Sequence, residues 1–203
     1  LICFVGSPWT VLTYMFNLNR NKFDNSDFNK SISQNDLNMI IEKLTDFLKH
    51  HIKKQIEAGA DVVQIFDSWS GLLNQTNLEK YCYQPNKSLV DFCKKINVPS
   101  ICFPKGIKEN YRQVLDFVKP NGLNIDYNID PLWAKQNLKN VCIQGGLNPS
   151  ILLENDEKTL SEVEKYLKIF EDLPYIFNLG HGILPETNPL TIKKIVDRVR
   201  GGT

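Results

Sequence analysis

Short apolar runs recur along this chain. Each is followed by a polar or glycine-bearing turn and then by apolar residues at three- and four-residue steps. The most informative run is Asp61-Val-Val-Gln-Ile-Phe-Asp-Ser-Trp-Ser-Gly71. Val62, Val63, Ile65 and Phe66 predict a buried strand over 62–66, and the turn beyond it carries Asp67, Ser68, Trp69 and Ser70. Ahead of it, Leu37, Ile40, Ile41, Leu44, Phe47, Leu48, Ile52 and Ile56 predict a long amphipathic helix. That helix is entered through a capping-box sequence, Ser33-Gln-Asn-Asp36, and stopped at Gly59. Further strands are predicted over 1–5, 98–103, 122–125, 141–144 and 175–179. Helices are predicted over 10–16, 87–96, 109–118, 131–138, 160–173 and 191–200, the last entered through Asn188-Pro189. Residues 17–34 and the stretch between Gly71 and Lys87 are expected to be loops.

Strand and helix thus alternate six times with no hairpin signal, which predicts an α/β fold with a parallel sheet and helices outside. The strands are short and carry polar or glycine residues just past their C-terminal ends. That suits a (β/α)8 TIM-barrel better than an open doubly wound sheet. A full barrel needs about 250 residues and eight units. The 203 residues here predict an incomplete barrel of about six βα units, residues 1–203 forming a single domain that lacks its N-terminal part. The chain starts in mid-strand at Leu1 and stops within a helical pattern, so a piece of a longer protein is expected. No G-x-G-x-x-G or Walker sequence follows any strand, which argues against a nucleotide fold.

Charge narrows the partners. The net charge is +1, so no bulk field favours nucleic acid or an anionic membrane. Arginine occurs only at Arg20, Arg112, Arg198 and Arg200, which is sparse for bidentate capture of several carboxylates. No apolar run approaches the ~20 residues of a membrane span. The five cysteines form no C-x-x-C pair, and an odd count suits a reducing, cytoplasmic setting. Cys3, Cys102 and Cys142 sit in apolar runs as small core residues. The three histidines and five cysteines lack metal-ligand spacing, so no metal is expected.

The candidate chemistry lies just past the strands, where ligands bind in parallel α/β folds. His181 stands between Gly180 and Gly182, which would let the backbone turn sharply toward a ligand. His50 and His51, beside Lys53 and Lys54, belong to a solvated helix face. Asp67 and Ser68 are acid–base or anchoring candidates, with the alternative that Asp67 bonds the turn amides that follow it. No G-x-S-x-G elbow supports a nucleophilic Ser68. Tyr14 fits core and ligand-facing positions equally. Lys105, between Pro104 and Gly106, is better placed as a solvated lysine than as a Schiff-base former. Trp9 and Trp69 either wall a pocket or pack.

Four of these strand-end stretches together carry a resemblance. They are Gly6-Ser-Pro-Trp-Thr-Val-Leu-Thr-Tyr-Met15, Gln64-Ile-Phe-Asp-Ser-Trp-Ser-Gly71, Gln144-Gly-Gly-Leu-Asn-Pro149 and Asn178-Leu-Gly-His-Gly-Ile-Leu-Pro-Glu-Thr187. In this order they resemble the bacterial uroporphyrinogen decarboxylase family from Leu1 to about Arg198. The resemblance implies a (β/α)8 barrel, a cytoplasmic homodimer when intact, and no cofactor. It also implies cofactor-independent removal of four acetate carboxyls from uroporphyrinogen III, giving coproporphyrinogen III for heme and other tetrapyrroles. By motif, Tyr14, Ser68 and His181 match substrate-contacting residues, and Phe4 and Phe66 match apolar residues that wall the pocket. The family's Arg-rich N-terminal segment and its essential aspartate match nothing in this sequence. The resemblance therefore places no catalytic residue in this chain and implies that the chain alone is inactive.

Two alternatives stand beside it. Related corrinoid-dependent methyltransferases resemble the same barrel and carry a zinc-binding His-x-Cys at a strand end, where this chain reads Ser100-Ile-Cys102. A non-catalytic fragment is the other: an incomplete barrel leaves sheet edges open, and such a chain is expected to associate.

Overall fold

The computed structural model describes residues 1–16 and 32–201. It divides into two compact units, Leu1–Asn121 and Gly122–Thr203. Strands alternate with helices throughout, and every strand pairing described is parallel, so the fold is α/β as the periodicity predicts.

The first unit opens with β1 (Ile2–Gly6), α1 (Pro8–Met15) and, after the undescribed residues, α2 (Gln34–Glu57). Ser7 caps α1, its hydroxyl accepting from the Thr10 amide, and Pro8 follows in the first turn, where its missing N–H costs nothing. Ser33 caps α2 in the same way, with the Asp36 amide at 3.1 Å, and the Asp36 carboxylate accepts in return from the Ser33 hydroxyl. The polar loop expected over 17–34 falls mostly outside the described residues. Its last residue, Gln34, already belongs to α2. The helix ends where expected, with Gly59 at φ 103° just beyond it.

Next comes β2 (Val62–Asp67), one residue longer than predicted. The loop expected after Gly71 is instead mostly helical. Asn74 caps α3 (Gln75–Leu78), which passes through a π-helical stretch, Glu79–Tyr83, into α4 (Gln84–Lys95). Apolar periodicity missed this because its buried positions include Tyr81, Cys82, Tyr83, Pro85 and Asn86, and the wider π turn breaks the 3.6-residue step. Then β3 (Ser100–Pro104) and α5 (Tyr111–Val118) complete the unit.

The strands of this unit pair in the order β1–β2–β3, with Gly6 opposite Phe66 and Phe66 opposite Phe103. Period-two alternation sorts their side chains. Val5, Val63, Ile65 and Cys102 share the face covered by the helices and are at most 3% exposed. Phe4, Gln64, Phe66, Ile101 and Phe103 share the other face. There Phe4 remains 65% exposed. The outer edge of β1 pairs with no described strand, and its Phe4 carbonyl accepts from Gln55 Nε2 of α2 at 3.2 Å.

The second unit holds β4 (Gly122–Asn124), α6 (Pro131–Asn137), β5 (Cys142–Gln144), α7 (Asp156–Ile169), β6 (Tyr175–Ile176) and α8 (Pro189–Val199). Asp130, Asn155 and Asn188 cap its three helices. The strand expected over 175–179 regularises for only two residues, but Leu179 pairs again with Leu147 as an isolated bridge. Between them Phe177 and Asn178 leave the ladder.

The glycines flanking His181 have different reasons to be there. A Cβ on Gly180 would lie 2.2 Å from the Tyr127 backbone nitrogen and 2.8 Å from the Asp126 carbonyl carbon. A Cβ on Gly182 would meet nothing within 4 Å. Close approach at Gly180, rather than a left-handed turn, fixes the first of them. Gly180→Ala is therefore expected to lose stability at the upper end of the ~1–3 kcal/mol of an overpacked site. Gly182→Ala should melt like the parent in urea.

Buried phenols give a second expectation. Desolvation pushes Tyr83 and Tyr166 up to about 12, and Tyr175 higher still. A phenol that holds its proton more tightly when folded stabilises the fold fully below its unfolded value, near 10. That stabilisation is lost as pH rises through the folded values. Tyrosinate absorbance should show these three of the seven tyrosines ionising only as the chain unfolds.

Candidate functional site

The C-terminal ends of β1, β2 and β3 are stitched into one surface by their backbones. Ser7 N–H donates to the Phe66 carbonyl at 2.8 Å, and Lys105 N–H donates to the Asp67 carbonyl at 3.1 Å. Gly71 N–H and the Ser70 hydroxyl both donate to the Lys105 carbonyl, at 3.0 and 3.1 Å. Here Gly71 lies so near the Gly106 backbone that a Cβ would meet its carbonyl oxygen at 2.9 Å. The Lys105 backbone is thus part of the frame, just past β3, and not a group within the strand.

On this frame, parity decides what faces where. Phe66 projects to the same side as Phe4, Asp67 after it projects toward the helices, and Ser68 opens the turn just past the strand. Three phenylalanines form an edge-to-face row on the face away from the helices, exposed at Phe4 and buried at Phe103, Phe4 to Phe66 at 5.8 Å and Phe66 to Phe103 at 5.9 Å. Ser68 is half-buried at the end of that row. Tyr14, one turn after Thr10 on α1, is 66% exposed and meets the Trp69 ring edge-on at 6.0 Å. The two readings left open for Tyr14 are thereby separated: it lies on the surface, beside the β2 turn. The structure brings Phe4, Phe66, Ser68 and Tyr14 to the strand ends of the first unit.

Trp9 and Trp69 take different roles. Trp9 is 2% exposed, stacks on Tyr81 at 5.7 Å and donates from its indole to the Trp69 carbonyl at 3.0 Å. It is packing. Trp69 is half-buried and presents its ring to Tyr14.

Asp67 does not bond the turn amides, as one sequence alternative had it. It is fully buried, and its Oδ1 accepts from the Ser7 hydroxyl at 2.6 Å and the Thr10 hydroxyl at 3.0 Å. Its Oδ2 accepts from Asn86 Nδ2 at 2.9 Å, and the same amide donates to Cys82 Sγ at 3.5 Å. Burial pushes its carboxyl above the usual range, against the opposing pull of Ser7, Cys82, Asn86 and Thr10. The same site pushes the Cys82 thiol well up, through burial first and the Asp67 charge second. Sequence reasoning missed Ser7, Thr10 and Asn86 as Asp67 partners. Only Ser7, as a cap before Pro8, carries a local signal.

In the second unit, His181 is exposed at the Gly180–Gly182 turn, and its Nδ1 accepts from the Gly182 amide at 2.7 Å. The neighbouring strand ends carry buried polar groups. Gln144 Nε2 donates to Asn124 Oδ1 at 2.7 Å. Tyr166 and Tyr175 donate to the Gly146 and Gly145 carbonyls at 3.2 and 2.9 Å.

His50 and His51 are exposed on α2, and His51 stacks on Phe47. Cys102 faces the helices, fully buried, and desolvation pushes its thiol far up, which opposes the thiolate form that metals bind. Among the described residues no three His, Cys, Asp or Glu side chains gather as a metal site would require, and no helix is long and apolar enough to cross a membrane.

Solved structures with the same fold include a methyltransferase from Methanosarcina mazei, at TM-score 0.78 and 19% identity, covering 98% of this chain and 58% of that one. A B12-independent methionine synthase from Shewanella sp. W3-18-1 superimposes at TM-score 0.66 and 10% identity, covering 99% of this chain and 60% of that one. At such identities the likeness concerns the fold alone, an incomplete α/β barrel. Sequence relatives are nearer. A uroporphyrinogen decarboxylase of Wolbachia sp. subsp. Brugia malayi is 39% identical over 202 residues, covering 98% of this chain and 57% of the relative. That of Rickettsia bellii is 38% identical over 212 residues, covering 98% and 60%. The chain thus spans about three-fifths of the length of the curated relatives it matches. Residues 1–202 match the family described as uroporphyrinogen decarboxylase (URO-D), and the chain belongs to that family.

Proposed function

We propose that this chain supplies one substrate-facing wall of a uroporphyrinogen decarboxylase and acts within a single barrel domain. The observation that carries this reading is the aromatic row that runs from exposed Phe4 through half-buried Phe66 to buried Phe103, with Ser68 in the turn just past β2 and Tyr14 beside it. Uroporphyrinogen III offers flat pyrrole faces and eight carboxylate arms. Phe4 and Phe66 give the rings an apolar wall, and Tyr14, Ser68 and His181 donate hydrogen bonds to carboxylates.

The chemistry needs no cofactor. Protonation of the pyrrole carbon next to the one that bears the acetate arm makes the ring an electron sink. The C–CO2 bond breaks into it, the exocyclic carbon takes a proton, and the ring gives one back. Net, each acetate and one proton become a methyl group and CO2. Pre-organised dipoles around the cationic ring supply the acceleration. The family's aspartate and arginines, which match no residue here, would offset the ring cation and hold the remaining carboxylates. The reading therefore makes the chain inactive alone, and cytoplasmic and homodimeric in its whole form.

Its test is product chromatography after incubation with uroporphyrinogen III. The chain alone should yield no coproporphyrinogen. A fusion carrying the family's Arg-rich N-terminal part ahead of Leu1 should yield it. In that fusion, Tyr14→Phe and His181→Asn should each lower turnover about ten- to a hundredfold, the scale of one hydrogen bond to a charged group. Unchanged kinetics for both would sink the assignment.

A further inference from the structure

Asp67 is an expensive residue for the position it holds. A buried carboxylate without a cationic partner is costly unless donors satisfy it, and the three groups that donate to Asp67 are all neutral. They come from two separate places: the start of α1 (Ser7 and Thr10) and α4 (Asn86). Two of them have a second task. The Ser7 oxygen that donates to Asp67 also accepts from the Thr10 amide and so caps α1. The Thr10 hydroxyl that donates to Asp67 also accepts from the Trp69 amide, at 3.3 Å.

These bonds run on either side of Ser68. Asp67 precedes it in the chain and Trp69 follows it, and both are tied to Thr10. Tyr14 lies four residues after Thr10, on the same face of α1, and its ring meets Trp69. The carboxylate therefore fixes the azimuth and height of α1 against the end of β2. Those two quantities set where the Tyr14 hydroxyl stands relative to the Ser68 hydroxyl.

We infer that Asp67 is a positioning residue that holds the Tyr14 and Ser68 hydroxyls in register through Ser7 and Thr10, without itself touching the ligand. The inference rests on the assignment of Tyr14 and Ser68 to substrate binding. Asp67→Asn keeps the shape of the side chain but turns one acceptor into a donor. That donor faces the donating Asn86 amide. Exchanging the pair, Asp67→Asn with Asn86→Asp, restores a donor opposite an acceptor.

The test is a binding cycle on the 203-residue chain. The probe is uroporphyrin III, followed by quenching of tryptophan fluorescence, with far-UV circular dichroism to establish that each variant is folded. Asp67→Asn should weaken binding about tenfold, the scale of one or two lost hydrogen bonds, and the exchanged pair should recover most of the loss. In a Tyr14→Phe/Ser68→Ala background, Asp67→Asn should cost less than about twofold, because coupled residues are not additive. An equal loss in both backgrounds, or no loss in either, overturns the inference while leaving the roles of Tyr14 and Ser68 intact. If Tyr14→Phe/Ser68→Ala binds the probe like the parent, or the parent does not bind it, the assignment of those two residues falls and this inference with it. Should Asp67→Asn not fold, Thr10→Val takes its place in the same cycle, removing one donor to Asp67 and the acceptor for Trp69.

Discussion

The first unit depends on a charge that is out of water. At the end of β2 the chain turns a carboxylate inward, toward the helices, and satisfies it with two hydroxyls and an amide. Desolvation is the largest effect on that group, and the donors offset part of it. The cost has a structural consequence. Neither α1 nor α4 can slide without leaving a buried acceptor unpaired, at about 1–3 kcal/mol or more for each group. A hydrophobic side chain there would pack against the helices but would not select one rotation of α1. The carboxylate selects one because its two oxygens have directions.

This explains why the strand-end surface is ordered although it carries few regular elements. Ser7 and Thr10 are committed on one side, Asn86 on the other, and the turn at residues 68–71 is closed by Ser70, whose hydroxyl donates to both the Asp67 and Lys105 carbonyls. The aromatic row needs no such knot. Phe4, Phe66 and Phe103 follow from strand register, since Phe66 pairs directly with Phe103, Phe4 pairs with Gln64 and so lies diagonal to Phe66 on the same face, and edge-to-face contact is their low-energy arrangement.

What could be read from the sequence divides along the same line. Local signals were legible. The Ser33 cap, the stop at Gly59, Pro189 after Asn188 and the strand-end positions of Phe66 and Ser68 are all decided within a few residues. The helical course of residues 75–86 was not, because its buried side is polar and aromatic and includes a π turn. Asn86 is the telling case. It looks like a loop residue, yet it is 1% exposed because its partner lies 19 positions earlier on a strand. Thr10 is equally opaque, with its partner 57 positions away. Nonlocal polar pairing leaves no periodic trace, so the frame of the site was hidden while its wall was visible. The glycines around His181 show a milder form of the same problem. They look alike in sequence, and only the approach of Tyr127 distinguishes Gly180 from Gly182.

Strand parity also bears on what kind of chemistry these strand ends can support. In Ile65-Phe66-Asp67, the outer two residues face the helices and the middle one faces away from them. In Ile101-Cys102-Phe103 the order is reversed, and Cys102 sits with Val63 and Ile65 in the fully buried layer. A thiol there is a core group: burial holds it protonated, and a metal reaching it would have to enter between strand and helix. The acid at position 67 is subject to the same geometry. It cannot reach the face of Phe4 and Phe66 without reversing the pleat of β2, which would bury Phe66 among the helices. The two polar residues that sequence alone ranked together, Asp67 and Ser68, are therefore separated by one peptide unit: the last residue of the strand is committed to the helices by its two-residue period, and the next opens the turn.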